Sequence, residues 1–334
     1  MDSTITKKYE SKSRFLTRTK PMIIIDDPQQ AVVCASHSND GIALVPLDHI
    51  IIDLIQVHPL ALKHFDALED PVVSTKIAEL THPFLNKKDY FILNLARSIA
   101  TVAAAFEPKD LFVQLSHLTT AEWRGLIGGE QFESIENNPL IGLRGAMRCV
   151  DPEFRPAFDM ECEAIKIVRE EMGFSNIKLV IPFCRTGKEA DQVVRMMNKH
   201  GMYRGCRGFE IFMTVETPCN AIMASRFAKH VDGFLICPVN LSRLMLGSEE
   251  NLLHTTTVIE DPVIRLITRT LHEAKRAGIK VGLKFEGCGK HPDLMPMLVD
   301  QGIDFIAFCA DNITEGIRLV AQAENRFTHT KAYY

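Results

Sequence analysis

At 334 residues and 37.6 kDa, the chain is too long for one small module and fits either a single large α/β barrel or two ordinary domains. Its 46% hydrophobic and 24% charged residues, with a mean hydropathy of +0.01, exclude a disordered chain, a collagen and a coiled coil. A net charge of −4 draws the whole chain neither to nucleic acid nor to anionic lipid, so small molecules or other proteins are the expected partners.

The first twenty residues carry six Lys/Arg against two acids and have no apolar core of a signal peptide, so residues 1–20 read as a frayed basic arm. Nine cysteines, odd in number and never closer than thirteen positions, form neither a metal knuckle nor a disulfide framework. They read as reduced thiols, and no apolar run reaches membrane-span length, which places the protein in the cytoplasm.

From Pro21 onward, short β-branched runs alternate with helix-period segments, the pattern of parallel strands joined by crossover helices. Candidate strands fall at 22–25, 41–45, 111–115, 141–144, 178–182, 210–215, 233–237, 280–284 and 305–309. That is nine runs for the eight places of a (β/α)8 TIM barrel, so one must be something else. Residues 47–105 show helical patterning without a strand and read as an insertion between the second and third strands. A helix is expected over 155–172, with Ala157, Met160, Ala164, Ile165, Val168 and Met172 inward and Gly173 as its stop. Another is expected over 261–278, with Asp261 as N-cap, Pro262 in the first turn and Gly278 ending it. After residue 20 there is neither a linker nor an internal repeat, so one barrel over 21–325 and a short tail over 326–334 are expected.

Chemistry in such a barrel collects where strands end, which singles out Arg144, Arg185, Glu216, Asn240, Lys284 and Glu286. Two arginines suit bidentate binding of a carboxylate or phosphate, although either taken alone reads better as a surface ion-pair partner. Glu216 leaves a strand just before Thr217-Pro218, where a carboxylate holds a divalent cation or caps the next helix. Lys284 breaks an apolar strand near the mouth, and is a functional cation, an imine-forming nucleophile or a side chain that snorkels to solvent. The Gly pair at 128–129 matches no phosphate-binding fingerprint and reads as a turn, and the twelve histidines contain no zinc motif.

Several longer motifs stand in order. They are D-G-I-A-L (40–44), L-I-G-G-E (126–130), E-N-N-P-L-I-G-L-R-G-A-M-R (136–148), I-P-F-C-R-T (181–186), E-T-P-C-N (216–220) and H-P-D-L (291–294). Together they resemble the C-terminal PEP/pyruvate-binding barrel of phosphoenolpyruvate synthase and pyruvate phosphate dikinase. The resemblance implies a barrel that dimerises, uses Mg²⁺, and receives phosphate from an ATP-grasp domain through a swivelling histidine domain. Neither of those domains fits in the twenty residues before the barrel, so this chain alone is not expected to make phosphoenolpyruvate from ATP.

Departures cluster at the site. Where the family has G-S-N-D-L-T-Q, this chain places Asn240 at the metal-binding aspartate and adds Arg243. Where the family has a cysteine that moves a proton at the methyl carbon of the enolate, this chain has Lys284. Cys288, four positions on, belongs to the following loop and is no substitute. Family arginines correspond to Pro46 and Gln114, and a family aspartate to His117, while Arg144, Arg148 and Arg185 remain. A carboxylate lost at 240 and an ammonium gained at 284 amount to two positive charges, the charge of the divalent ion. The resulting expectation is a barrel with a degenerate Mg²⁺ site at Glu216 and Asn240, the metal weak or absent. Lys284 and Glu216 would be catalytic, with Arg144, Arg148, Arg185, Asn240, Arg243 and Glu286 binding a small α-keto acid or enolpyruvyl substrate. The alternative is an inactive relative that serves as a binding or scaffold subunit.

Overall fold

In the computed structural model, residues 17–138, 141–247, 259–285 and 293–331 are described. Eight parallel strands close into one barrel: β1 Lys20–Ile24, β2 Gly41–Pro46, β3 Asp110–Gln114, β4 Ile177–Ile181, β5 Ile211–Val215, β6 Gly233–Ile236, β7 Lys280–Lys284 and β8 Phe305–Cys309. Each pairs in parallel with its sequence neighbours, with register shifts between β1 and β2 and between β2 and β3, and β8 returns to β1. The (β/α)8 architecture expected from the alternation of periods is therefore the one observed.

The ninth run, 141–144, is a turn. Glycines at 142 and 145 interrupt the run, Ile141 is 66% exposed, and Gly145 takes a positive φ of 60°. The Leu143 backbone is satisfied by side chains instead of a neighbouring strand: its N–H donates to Glu136 Oε1 at 2.7 Å and its carbonyl accepts from Arg148.

As expected, the segment between β2 and β3 is helical. A π-helical turn Ile50–Ile55 and the helices Pro59–Lys63 and Pro71–Thr81 lead to the long helix Lys87–Phe106. That helix starts on the Asn86 side chain and buries Phe91, Leu95, Ile99, Val102 and Phe106 along one stripe. Of the two helices read from periodicity, the first runs Arg155–Lys166 and continues as a π-helical turn Ile167–Glu171. Met172, assigned inward, is 40% exposed because that wider turn shifts the stripe. The second runs Asp261–Ala277, with Glu260 rather than Asp261 in the N-cap position and Gly278 in the left-handed conformation at its end. The last helix, Ile313–Lys331, passes the 325 boundary set for the barrel. Among the described residues no helix is long and apolar enough to cross a membrane.

Three phenylalanines fill the barrel axis. Phe112 packs on Phe212 and Phe305 with ring centroids 4.6 and 5.4 Å away. Room for two of these rings is made by glycines on the adjoining strands. A Cβ at Gly282 would lie 2.1 Å from the Phe305 ring, and one at Gly233 would lie 2.1 Å from that of Phe212. Gly282→Ala is accordingly expected to destabilise by about 1–3 kcal/mol through overpacking. Adding Phe305→Leu should recover part of that loss; denaturant unfolding of the single and double variants is the check.

Candidate functional site at the barrel mouth

The register places the strand-end residues. Val215, Ile236 and Leu283 are aligned across β5, β6 and β7, so Glu216, Cys237 and Lys284 occupy the next rung, at the C-terminal mouth. This rung shares its facing with Phe212 and Leu235, which point into the barrel. Glu216 is 1% exposed and Lys284 half-buried. Backbone N–H groups of Glu216 and Thr217 both donate to Asn220 Oδ1, which anchors the turn that carries the carboxylate.

Asn240 begins the helix Pro238–Leu246 and turns its amide on the carboxylate, Nδ2 donating to Glu216 Oε2 at 3.1 Å. Its other end, Oδ1, accepts from Arg243 at 3.5 Å. A Mg²⁺ ion asks for an octahedron of oxygens with carboxylates among them. Here one of the two Glu216 oxygens faces an NH₂ group, and the neutral amide oxygen of Asn240 is taken by a guanidinium. Among the described residues no group of three or more His, Cys, Asp or Glu side chains could hold a metal ion. These residues do not fit the ion that the resemblance implies.

Arg144 and Arg185 come together from two loops. Their guanidinium carbons lie 4.6 and 4.8 Å from the centroid of the same ring, Phe183. That phenylalanine holds φ at +44°, a left-handed conformation costly for a bulky residue, in the turn that leaves β4. Arg185 also donates to the carbonyls of Gly142 and Arg144, at 2.6 and 3.2 Å, tying its loop to the other. Burial and then the neighbouring Arg144 charge press its pKa down, against Glu189. Both guanidiniums thus lie against one phenylalanine ring, and the buried Arg144 Nε has no hydrogen-bond partner among the described residues.

Arg148 does not join them. It is 2% exposed and spends its donors internally: on Glu133 Oε1 at 2.5 Å, on Thr120 Oγ1 at 2.7 Å and twice on the Leu143 carbonyl. Its substrate-binding assignment is corrected to a structural one, holding the turn from which Arg144 projects. Glu286 and Cys288 lie outside the described residues.

Three pairings escape the sequence reading, which names His117 only as the residue where the family has an aspartate. Asp48, just past β2, forms an ion pair with His117, just past β3, and accepts the His117 backbone N–H at 2.8 Å. Ser116 donates its N–H and its hydroxyl to the two oxygens of buried Glu161, at 3.2 and 2.5 Å. His58, 0% exposed, accepts from Leu60 N–H through Nδ1 and so donates from Nε2 to Glu133. The available signal was position: Asp48 and His117 each follow a strand within three residues.

Taken together, the closed strand order and the rung at its mouth define a (β/α)8 barrel with charged side chains at the C-terminal ends of its strands. The family model described as the PEP-utilising enzyme, PEP-binding domain, matches residues 5–325, and the chain belongs to that family. It is 38% identical over 322 residues to a phosphoenolpyruvate synthase of Synechocystis sp., covering 95% of this chain and 39% of that protein. To the phosphoenolpyruvate synthase of Escherichia coli it is 36% identical over 299 residues, 89% of this chain and 38% of that protein. The chain thus spans about two fifths of the length of these curated relatives.

Proposed function

We propose that this barrel binds a small α-keto acid or enolpyruvyl anion and polarises its enolate oxygen with a side-chain cation, Lys284, in place of a divalent ion. The observation that carries the reading is the shared rung of Glu216 and Lys284, beside an Asn240 amide already engaged at both ends. Arg144 and Arg185 supply the carboxylate site, and Arg243 adds positive potential at the Asn240 side. An ammonium at about 4 Å from a developing oxyanion is worth roughly 4 kcal/mol at an effective dielectric near 20, before desolvation is subtracted.

Thermal unfolding with pyruvate, phosphoenolpyruvate and oxalate, each with EDTA present, tests this. Oxalate mimics the planar enolate, and at a hundredfold excess over Kd a bound ligand adds about 2.7 kcal/mol, read as a rise of a few degrees in Tm. Lys284→Met is expected to weaken oxalate binding about ten- to hundredfold, and Arg185→Ala similarly, because each removes a charge-assisted bond. A rise that needs Mg²⁺ would return the site to metal chemistry. No rise with any of the three would leave the barrel as a scaffold.

A further inference from the structure

Asp48 and His117 stand at the same mouth and take no part in the anion and cation sites described above. The imidazole is gripped from one side: Asp48 Oδ2 pairs with Nδ1 while Asp48 Oδ1 accepts the His117 backbone N–H at 2.8 Å. Gln114, the last residue of β3, also lies 3.2 Å from Nδ1. A carboxylate on Nδ1 puts the ring proton there and leaves Nε2 as the reactive nitrogen. Among the described residues no hydrogen bond reaches Nε2, and the side chain is 23% exposed. The residue before it is fixed just as firmly, Ser116 being clamped through N–H and hydroxyl by Glu161. Stability alone does not ask for this: a buried ion pair roughly breaks even against apolar packing. A fixed imidazole backed by a carboxylate, with its second nitrogen free at an anion-binding mouth, has the parts of a general acid and base.

We propose that His117 is the catalytic acid and base of this barrel, moving a proton at the carbon next to the keto group, with Asp48 as its positioning residue. The proposal rests on the keto-acid reading above. With pyruvate, Nε2 takes a proton from the methyl carbon. The C–H electron pair becomes the carbon–carbon double bond, and the carbonyl π pair moves onto oxygen, where Lys284 meets it. Asp48 balances the imidazolium, and return of the proton regenerates the keto acid, with no net oxidation. Lys284 is thereby the electrophile, and the proton carrier is a different residue, contributed by β3's loop.

Exchange of the pyruvate methyl protons in D₂O, followed by proton NMR, is the test, run beside the oxalate thermal shift in EDTA. Wild type should exchange above the buffer rate, His117→Gln should lose about 100-fold or more, and both should retain the oxalate shift. Asp48→Asn should lose about tenfold or more. Its pH midpoint should also move. Burial lowers the imidazole pKa, Asp48 and Glu216 outweigh it and Arg144 opposes them, so the wild-type value is raised and loss of Asp48 brings it down. A structural role alone would not move that midpoint. Should His117→Gln fail to fold, His117→Asn supplies the same reading. Oxalate binding with undiminished exchange in folded His117 variants, or with no exchange in wild type, overturns the dyad and leaves the binding site standing. Absence of oxalate binding in wild type overturns the keto-acid reading first and the dyad with it.

Discussion

Arg148→Ala is expected to cost the fold about 3–5 kcal/mol, the range for breaking a buried ion pair by removing one partner. Glu133 is the partner left behind, 8% exposed, with the neutral imidazole of His58 its remaining side-chain donor. Its carboxyl is held below the ordinary range against its burial by His58 and Arg148 together. Without the guanidinium the burial has no answering cation, and Thr120 and the Leu143 carbonyl lose their donors as well. The same change should weaken oxalate binding, because the turn at 141–145 that carries Arg144 is held by those two bonds to Leu143. A double variant, Arg148→Met with Glu133→Gln, should be less destabilised than the sum of its single changes, since no uncompensated charge remains. Urea unfolding measures all three. Additive losses would mean that the pair is not coupled.

The second large effect is one of pH. Glu161, 1% exposed on the inner face of the helix Arg155–Lys166, has its pKa pushed up to about 7 by burial. The two Ser116 bonds oppose the shift and the nearby Asp48 charge adds to it. Unfolded, a glutamate releases its proton near pH 4.3, so between that value and about 7 the folded state holds a proton that the unfolded chain has lost. Folding stability from this group is therefore complete in acid and declines as pH rises through that window, by about 4 kcal/mol in all. Glu161→Gln keeps the shape of the protonated form and removes the slope. Its stability relative to wild type should climb by up to that amount between pH 5 and pH 8, measured by urea unfolding in a series of buffers. Parallel curves for the two proteins would show that Glu161 is ionised throughout. Ser116, which precedes His117, takes its position from this carboxyl.

Barrel and helix order were legible in the chain because both rest on local regularities. A period of two or of 3.6 in apolar residues, a proline in the first turn and a glycine after the last need no knowledge of distant segments. The helix Asp261–Ala277 shows this: its capping residue is displaced by one position, but its buried stripe and its Gly278 end are as the sequence reads. Strand ends were legible for the same reason, which is how Arg185, Glu216, Asn240 and Lys284 came to attention from spacing and motif, whereas Arg144 was reached from a run that is a turn.

Pairings were decided only by the tertiary structure. An arginine looks the same in sequence whether it faces solvent, as an anion ligand must, or a carboxylate in the core. Arg148 was sorted into the second class by the approach of Glu133 and Thr120 from a different loop. Asp48 and His117 are 69 positions apart and meet because β2 and β3 are neighbours whose ends share one rim. The run at 141–144 has strand composition, yet its hydrogen bonds go to Glu136 and Arg148, so it is a turn. In each case the outcome depends on which groups the closed barrel brings within hydrogen-bond reach, a through-space property that composition and period do not encode.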